Sequence, residues 1–198
     1  MPKDTKSKIA RAATAILAKE GYRALTMRRV ASACDISPGN LTYHFPSVDD
    51  LMVAAMNLGL EQYQQQITSY LQKPPTDQDK TLTDLVTFFI RDAISQQTSA
   101  VMIEFWALAQ RDSTKAAFLD QAYKKASDMI TDVVIDIEPG IGRATANQVA
   151  STLLVFSEGS TALYSRKPLL AFDEKALIET AVRTLRQMIS DAASKATS

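Results

Sequence analysis

The chain has 198 residues, of which 46% are hydrophobic, and its 22 basic side chains balance its 22 acidic ones. This length allows one or two folded domains, and the apolar content is typical of a globular protein. A single cysteine excludes an internal disulfide, and no apolar run approaches the roughly 20 residues that span a membrane. The charged first residues show no secretory signal, so we expect a protein of the reducing cytoplasm.

The charge is unevenly distributed along the chain. Residues 1–47 contain eight basic residues against three acidic ones, a net charge of +5, and the remainder therefore carries −5. A basic head on an acidic body is typical of a module that binds nucleic acid. The alternative is that these basic residues are only solvated surface. For Lys3, Lys6 and Lys8 both interpretations, a phosphate contact or none, stay open.

The first predicted helix runs from Lys3 to Glu20, and the next segment predicts two short helices joined by a tight turn. Thr26 is placed to cap the first short helix. Ser37 is placed to cap the second, with Pro38 in its first turn, where a proline has no hydrogen bond to lose. The apolar face of the first short helix follows at helical spacing, at Met27, Val30, Ala31 and Cys34. Two such helices form a helix-turn-helix, whose second helix enters a DNA major groove. Cys34 lies on the inward face and is predicted to be core.

This segment resembles the DNA-binding motif of the TetR/AcrR family of transcriptional regulators. The matching positions are Thr26, Val30, Ala31, Ile36, Ser37, Gly39, Leu41, His44, Phe45, Pro46, Ser47 and Leu51. The sequence departs from the family pattern at three positions. Asp35 stands where a turn glycine is usual, and Thr42 stands where an aromatic residue is common. Val48 stands where a lysine usually contacts a DNA phosphate.

The predicted DNA contacts divide into two groups. Phosphate contacts are expected from Thr26, Arg28, Tyr43 and His44. Base-edge contacts are expected from Ser37, Pro38, Asn40 and Thr42, since an asparagine can pair with adenine and a threonine methyl can touch a thymine methyl.

The remaining sequence shows only helical periodicity. A long helix from Ser47 to Tyr70 begins with a capping box formed by Ser47 and Asp50. Further predicted features follow in chain order: a loop at 72–78, a helix at 80–97, a break at Thr98 and Ser99, a helix at 100–112, a helix capped by Ser113 or Thr114 that runs to Asp136, a helix at 145–166 ended by Pro168, and a helix capped by Asp173 that runs to Ala193. The predicted fold is all-α with about nine helices. It comprises a three-helix DNA-binding domain at 1–50 and a helical effector-binding and dimerisation domain at 51–198.

The middle helices are rich in aromatic residues and methionine, which is typical of an apolar ligand pocket or simply of core. The pocket candidates are Phe89, Met102, Phe105, Trp106 and Tyr123, with polar groups from Arg91, Glu104, Gln110 and Glu158. The run EFWALAQRD, residues 104–112, resembles choline-responsive members of the family, which implies an aromatic cage for a cation.

The last two helices carry apolar stripes that indicate either a dimer interface or intramolecular core. The interface candidates are Leu153, Phe156, Leu163, Leu177, Ala181, Leu185 and Met188. The family resemblance implies a homodimer through these helices.

No catalytic residues, cofactor or metal site are predicted, because His44 is the single histidine and no glycine-rich phosphate loop is present. The predicted function is a ligand-responsive dimeric regulator, a repressor released from a palindromic operator by a small molecule. The alternative is a helical small-molecule-binding or scaffolding protein without DNA binding.

Overall fold

The computed structural model describes residues 2–71, 78–164 and 173–196. Within these ranges the chain forms nine α-helices and one short 3₁₀ turn, Tyr22–Ala24. The helices are α1 Pro2–Glu20, α2 Met27–Cys34, α3 Pro38–His44, α4 Val48–Leu71, α5 Gln78–Ile94, α6 Gln96–Ala109, α7 Ser113–Ile137, α8 Arg143–Tyr164 and α9 Glu174–Ala196. The predicted all-α class is confirmed.

The chain divides into two compact units. The first, called the head, contains residues 1–62 and 95–119, and the second, called the body, contains residues 63–94 and 120–198. The sequence-based boundary after residue 50 differs from this division because α6 packs against α1. The side-chain amide of Gln96 also donates to the Ala18 carbonyl at 2.7 Å. Such long-range packing leaves no signal in the periodicity of either helix.

The head has one apolar core built from one face of each of its helices. The stripe of α1 supplies Ile9, Ala13 and Leu17, as its 3.6-residue spacing predicts. The other fully buried members are Val30, Ala31, Cys34, Leu41, Leu51, Met52 and Phe105. The two short helices α2 and α3 are held by this core, because isolated helices of their length are unstable in water.

The body has a separate core that α5, α7, α8 and α9 share. Its largest buried side chains include Phe89, Ile90, Ile130, Leu153 and Leu185. Two buried hydroxyls tie α8 to α5, since Ser157 donates to the Phe89 carbonyl at 3.4 Å and Thr161 to the Ala93 carbonyl at 3.1 Å.

Several predicted helix ends are confirmed. Ser47 and Asp50 form the capping box, with the Asp50 backbone N–H donating to the Ser47 hydroxyl and the Ser47 N–H donating to the Asp50 carboxylate. The Asp173 carboxylate accepts from the Ala176 N–H at 3.0 Å. Of the predicted loop at 72–78, residues 72–77 lie outside the described residues, as does the predicted stop at Pro168, whereas Gln78 is wrong as a loop residue because it begins α5.

Two predicted helix ends are wrong. The break placed at Thr98 and Ser99 lies at Ser95, whose hydroxyl accepts from the Thr98 N–H at 3.2 Å. The cap assigned to Ser113 or Thr114 belongs to Asp112, whose carboxylate accepts from the N–H groups of Thr114 and Lys115. Both segments contain several residues able to cap, and Ser95 has the extended backbone that a capping residue needs, with φ −63° and ψ 143°.

Candidate nucleic-acid interface

The turn between α2 and α3 depends on a left-handed residue. The Thr26 hydroxyl caps α2 by accepting from the Arg29 N–H at 3.2 Å. Asp35 ends α2 with φ 55° and ψ 48°, in the left-handed region that aspartate tolerates better than most residues. Asp35 therefore adopts the left-handed backbone conformation that a glycine would take at this turn.

Helix α3 presents nearly all of its side chains to solvent. Ser37 caps it, with its hydroxyl accepting from the Asn40 N–H at 3.2 Å, and Pro38 occupies the first turn. Within α3 only Leu41 is buried, and it anchors the helix to the head core. The Thr42 hydroxyl donates to the Pro38 carbonyl at 2.9 Å, which leaves its methyl group for any apolar contact.

The predicted DNA contacts share one property, which is exposure. Seven of them are exposed and His44 is partly exposed; the seven are Thr26, Arg28, Ser37, Pro38, Asn40, Thr42 and Tyr43. Tyr43 is 85% exposed and meets the His44 ring edge-on at 5.2 Å between centroids. The ring and the hydroxyl of Tyr43 are therefore accessible to another molecule.

The two arginines at the start of α2 have different environments. Arg29 pairs with Glu20 at 2.7 Å, and this pair lowers the pKa of the Glu20 carboxyl. Arg28 has no ion pair or hydrogen bond through its side chain among the described residues, so its guanidinium is available for a phosphate. Lys8, one of the lysines considered for phosphate contacts, instead donates to the Cys34 carbonyl at 2.9 Å.

Cys34 is confirmed as a core residue. It is 1% exposed, and burial raises the pKa of its thiol above the ordinary value. A buried thiol of this kind is a poor nucleophile and a poor redox sensor.

The N-terminus of α4 is fixed in the head by contacts that the sequence analysis missed. Val48 packs against the head core. Next to it, Asp49 accepts from the buried Lys115 ammonium at 2.8 Å, and Asp112 accepts from the same group at 2.6 Å. These two carboxylates raise the pKa of Lys115. The spacing of Asp112 and Lys115 could have suggested a local pair, but the contact with Asp49 has no sequence signal.

The ligand-pocket candidates are divided between the two units. Phe105 lies in the head core, Met102 packs against it, and Trp106 is partly buried in the same unit. Phe89 is buried in the body core. Tyr123, also in the body, is hydrogen-bonded to Glu158, one of the polar candidates.

The dimer-interface candidates also separate by burial. Leu153, Ala181 and Leu185 are at most 1% exposed and fill the core of their own subunit, so their side chains have no surface to offer a partner. Phe156, Leu177 and Met188 are only partly buried, and Leu163 is 39% exposed. Val155 was not among the predicted interface residues, yet it is 71% exposed on α8.

Among the described residues, no three His, Cys, Asp or Glu side chains are grouped so that they could hold a metal ion. No helix in that part of the chain is both long and apolar enough to cross a bilayer.

Comparisons with known proteins converge on one family. Residues 9–55 match the family of bacterial regulatory proteins named tetR. An uncharacterised helix-turn-helix regulator of Xanthobacter autotrophicus is 29% identical over 59% of this chain and 59% of its own length. The repressor KstR of Rhodococcus jostii is 28% identical over 69% of this chain and 63% of its own length. The chain thus matches less than two thirds of the length of these two relatives.

A solved regulator from Saccharomonospora viridis, in complex with choline, has the same fold. The TM-score is 0.70 at 17% identity, over 95% of this chain and 96% of the other. This likeness covers the head and the body, whereas the family match lies within residues that form α1 to α4. Residues 9–55 therefore match the tetR family of bacterial regulatory proteins in their helix-turn-helix, and the described helices have the fold of solved transcriptional regulators.

Proposed function

We propose that this protein is a dimeric, ligand-responsive repressor that binds a palindromic operator through α3 and releases it when a small molecule binds the body. The observation that carries the proposal is the construction of α3. Its one buried side chain, Leu41, fixes the helix, while Asn40, Thr42 and Tyr43 are exposed to solvent. A helix that exposes polar and aromatic groups on a basic unit matches the chemistry of a DNA major groove.

The contacts sort into positioning and reading groups. Arg28 lies in the first turn of α2, Tyr43 and His44 lie in the last turn of α3, and all three would suit phosphate oxygens. Ser37, Pro38, Asn40 and Thr42 form the first turn and the centre of the exposed face and suit base edges. The Thr26 hydroxyl already caps α2. The phosphate contact expected at Thr26 would therefore be made by the backbone N–H groups at the N-terminus of α2.

The proposal of a dimer is supported by the outer face of α8. From 144 to 164 the helix carries one charged residue, Glu158, and its exposed face is made of small and uncharged side chains. The exposed members of this face are Ala144, Asn147, Gln148, Ser151, Val155, Gly159, Ala162 and Leu163. A face of this length without charge is unusual for a solvated helix and suits close packing against a second copy.

The proposed interface combines this face of α8 with the partly buried side chains beside it on both helices. Phe156, Leu177 and Met188 would complete it, while Leu153, Ala181 and Leu185 support it from inside the subunit. A symmetric dimer of this kind reads two half-sites about 34–36 Å apart or a multiple of that distance.

Repression and ligand response are supported by relatives. KstR is named a repressor, and the Saccharomonospora viridis protein was solved with choline. Release from the operator requires a ligand that prefers the conformation with low DNA affinity. Of the pocket candidates, Phe89 and Tyr123 lie in the body and remain proposed positions for ligand contacts, whereas Met102, Phe105 and Trp106 lie in the head.

The alternative of a helical binding or scaffolding protein without DNA binding is favoured by one observation. Val48 is packed against the head core, where a family lysine would offer a phosphate contact. The remaining exposed cations of the head would then have to supply the electrostatic attraction. Selection of bound sequences from a random pool of duplexes separates the two functions. A repressor enriches a palindrome, whereas the alternative enriches no sequence at any ionic strength.

A further inference from the structure

Glu158 is chemically unlike the rest of α8. Every other residue of the helix after Arg143 is uncharged. Glu158 is partly buried, and its neighbours Ser157 and Thr161 are buried against α5. The outer face of the helix belongs to Val155, Gly159 and Ala162. Glu158 lies between the buried and the exposed side chains of the helix, and a partly buried carboxylate is costly unless it has partners.

The carboxyl group has one partner and one unused oxygen. The Tyr123 side chain on α7 is hydrogen-bonded to it. Its Oε2 atom is shielded from solvent and has no hydrogen-bond partner in the described part of the chain. As a carboxylate, Oε2 lacks a donor, and as a carboxylic acid, its hydroxyl would lack an acceptor. Either protonation state therefore leaves one polar atom unsatisfied, which native proteins rarely tolerate without a reason.

The surrounding groups do not neutralise this carboxyl. No ion pair among the described residues includes Glu158, and the adjacent hydroxyls of Ser157 and Thr161 donate to the carbonyls of α5 instead. Burial raises the pKa of Glu158 to about 7, and the Tyr123 hydrogen bond opposes this rise only in part. The environment of the carboxyl is therefore poorly hydrated, and the attraction between the carboxylate and a cation would be stronger there than at the surface.

We propose that Glu158 and Tyr123 form the recognition site for the ammonium group of a small organic cation, whose N–H donates to Oε2 of Glu158. This inference rests on the proposed function, because it names the class of effector to which the regulator would respond. The ligand carries at least one N–H on its charged nitrogen and an apolar remainder. A charge-assisted hydrogen bond would satisfy Oε2 and keep the carboxyl ionised.

The test uses three probes that share one chain and differ in the head group: hexylammonium, hexyltrimethylammonium and hexanol. Each is added to the full-length wild-type protein, and the melting temperature is measured together with the carbon-13 titration of the Glu158 carboxyl. We expect hexylammonium to raise the melting temperature and to lower the pKa of Glu158. Hexyltrimethylammonium, which has no N–H, should bind about tenfold more weakly, and hexanol should produce no shift of the titration.

Three variants assign the effect to the site. Glu158→Gln should lose the response to hexylammonium, and Tyr123→Phe should weaken it and raise the pKa of Glu158, because the opposing hydrogen bond is gone. Glu138→Gln, a change of the same chemistry elsewhere in the body, should respond as wild type does. Circular dichroism of each variant checks that it is folded before probes are added.

Two results would overturn the proposal. One is an equal response of wild type and folded Glu158→Gln to hexylammonium, or no response in either. The other is equal binding of hexyltrimethylammonium and hexylammonium, which would remove the assigned hydrogen bond. A gel-shift assay on the same wild-type sample distinguishes this failure from failure of the proposed function. DNA binding without an amine response overturns the inference alone, and an amine response without DNA binding overturns the proposed function alone.

Discussion

Helices α3 and α8 both present one face to solvent, but the two faces have opposite chemistry. Of the side chains in α3 only Leu41 is buried, and the residues after Gly39 are otherwise polar or aromatic, including the highly exposed Tyr43. In α8 seven side chains are buried, and the exposed face carries small, uncharged groups around Val155. The first surface suits the hydrogen-bonding edges of bases, and the second suits close packing against another helix. Variants that affect one surface without the other test this difference.

The largest effect is expected from comparing the buried residue that anchors α3 with an exposed residue of the same helix. Leu41→Ala removes the one buried anchor of the helix and should destabilise the head by about 2–5 kcal/mol. Tyr43→Ala removes an exposed ring and should change stability by less than about 0.5 kcal/mol. Thermal unfolding and gel shift are measured on both. Both variants should lose DNA affinity, and equal melting temperatures would contradict the assigned roles.

The partly buried carboxyl of Glu158 on α8 is tested by measuring stability as a function of pH. The folded-state pKa of Glu158, about 7, lies above its ordinary value of 4.5, so the folded protein binds the proton more tightly than the unfolded chain. Stability from this group is present at low pH and is lost as the pH rises through about 7. Relative to Glu158→Gln, wild type should therefore lose roughly 3 kcal/mol between about pH 4 and pH 8. Urea unfolding of both proteins across this range measures it, and a constant difference would argue against the burial of the carboxyl.

Dimerisation through the exposed face of α8 is tested by placing a charged side chain on that face. Val155→Arg places a bulky charged side chain in the proposed interface and should weaken dimerisation by about 2–5 kcal/mol. Ala117→Arg, on an exposed position of α7, is the matched control and should leave the dimer intact. Sedimentation velocity over a concentration series reports the change. A Val155→Arg dimer as stable as the control would move the interface away from α8.

A smaller effect is expected from a single reading contact on α3. Asn40→Ala should cost about 1–3 kcal/mol of operator affinity and relax the preference at one base pair. Fluorescence anisotropy against operators altered one position at a time gives both quantities. Uniform weakening at every position would instead assign Asn40 to the phosphates.

The smallest effect is expected from a substitution in α4, which belongs to neither the α3 surface nor the α8 surface. A Cβ added at Gly59, in the interior of α4, would meet no atom within 4 Å. Gly59→Ala should therefore raise stability by about 1 kcal/mol through helix propensity. Chemical unfolding measures the gain. A loss of stability would mean that α4 needs the freedom of glycine at this point.

The head was largely predictable from sequence, and the body was predictable mainly as a set of helices. The caps at Thr26, Ser37 and Ser47 depend on neighbouring residues, so short-range patterns identify them. The contact of Lys115 with Asp49 joins residues far apart in the chain, and no local pattern encodes it.

The apolar stripes of α8 and α9 could not be divided between core and interface from sequence. Both environments select the same residue types at the same spacing. Only the packing of the subunit shows that Leu153 and Leu185 are covered while Val155 is not. The unused oxygen of Glu158 is likewise visible only once its neighbours are known.

The most direct test of the central claim is the affinity of the purified protein for a duplex from its own upstream region, measured across a salt series. We expect the logarithm of the binding constant to fall linearly and steeply with the logarithm of salt concentration, as phosphate contacts require. We also expect two subunits per palindrome and a loss of affinity in Tyr43→Ala. Absence of binding at low salt, or binding that Tyr43→Ala and Asn40→Ala leave unchanged, would contradict it.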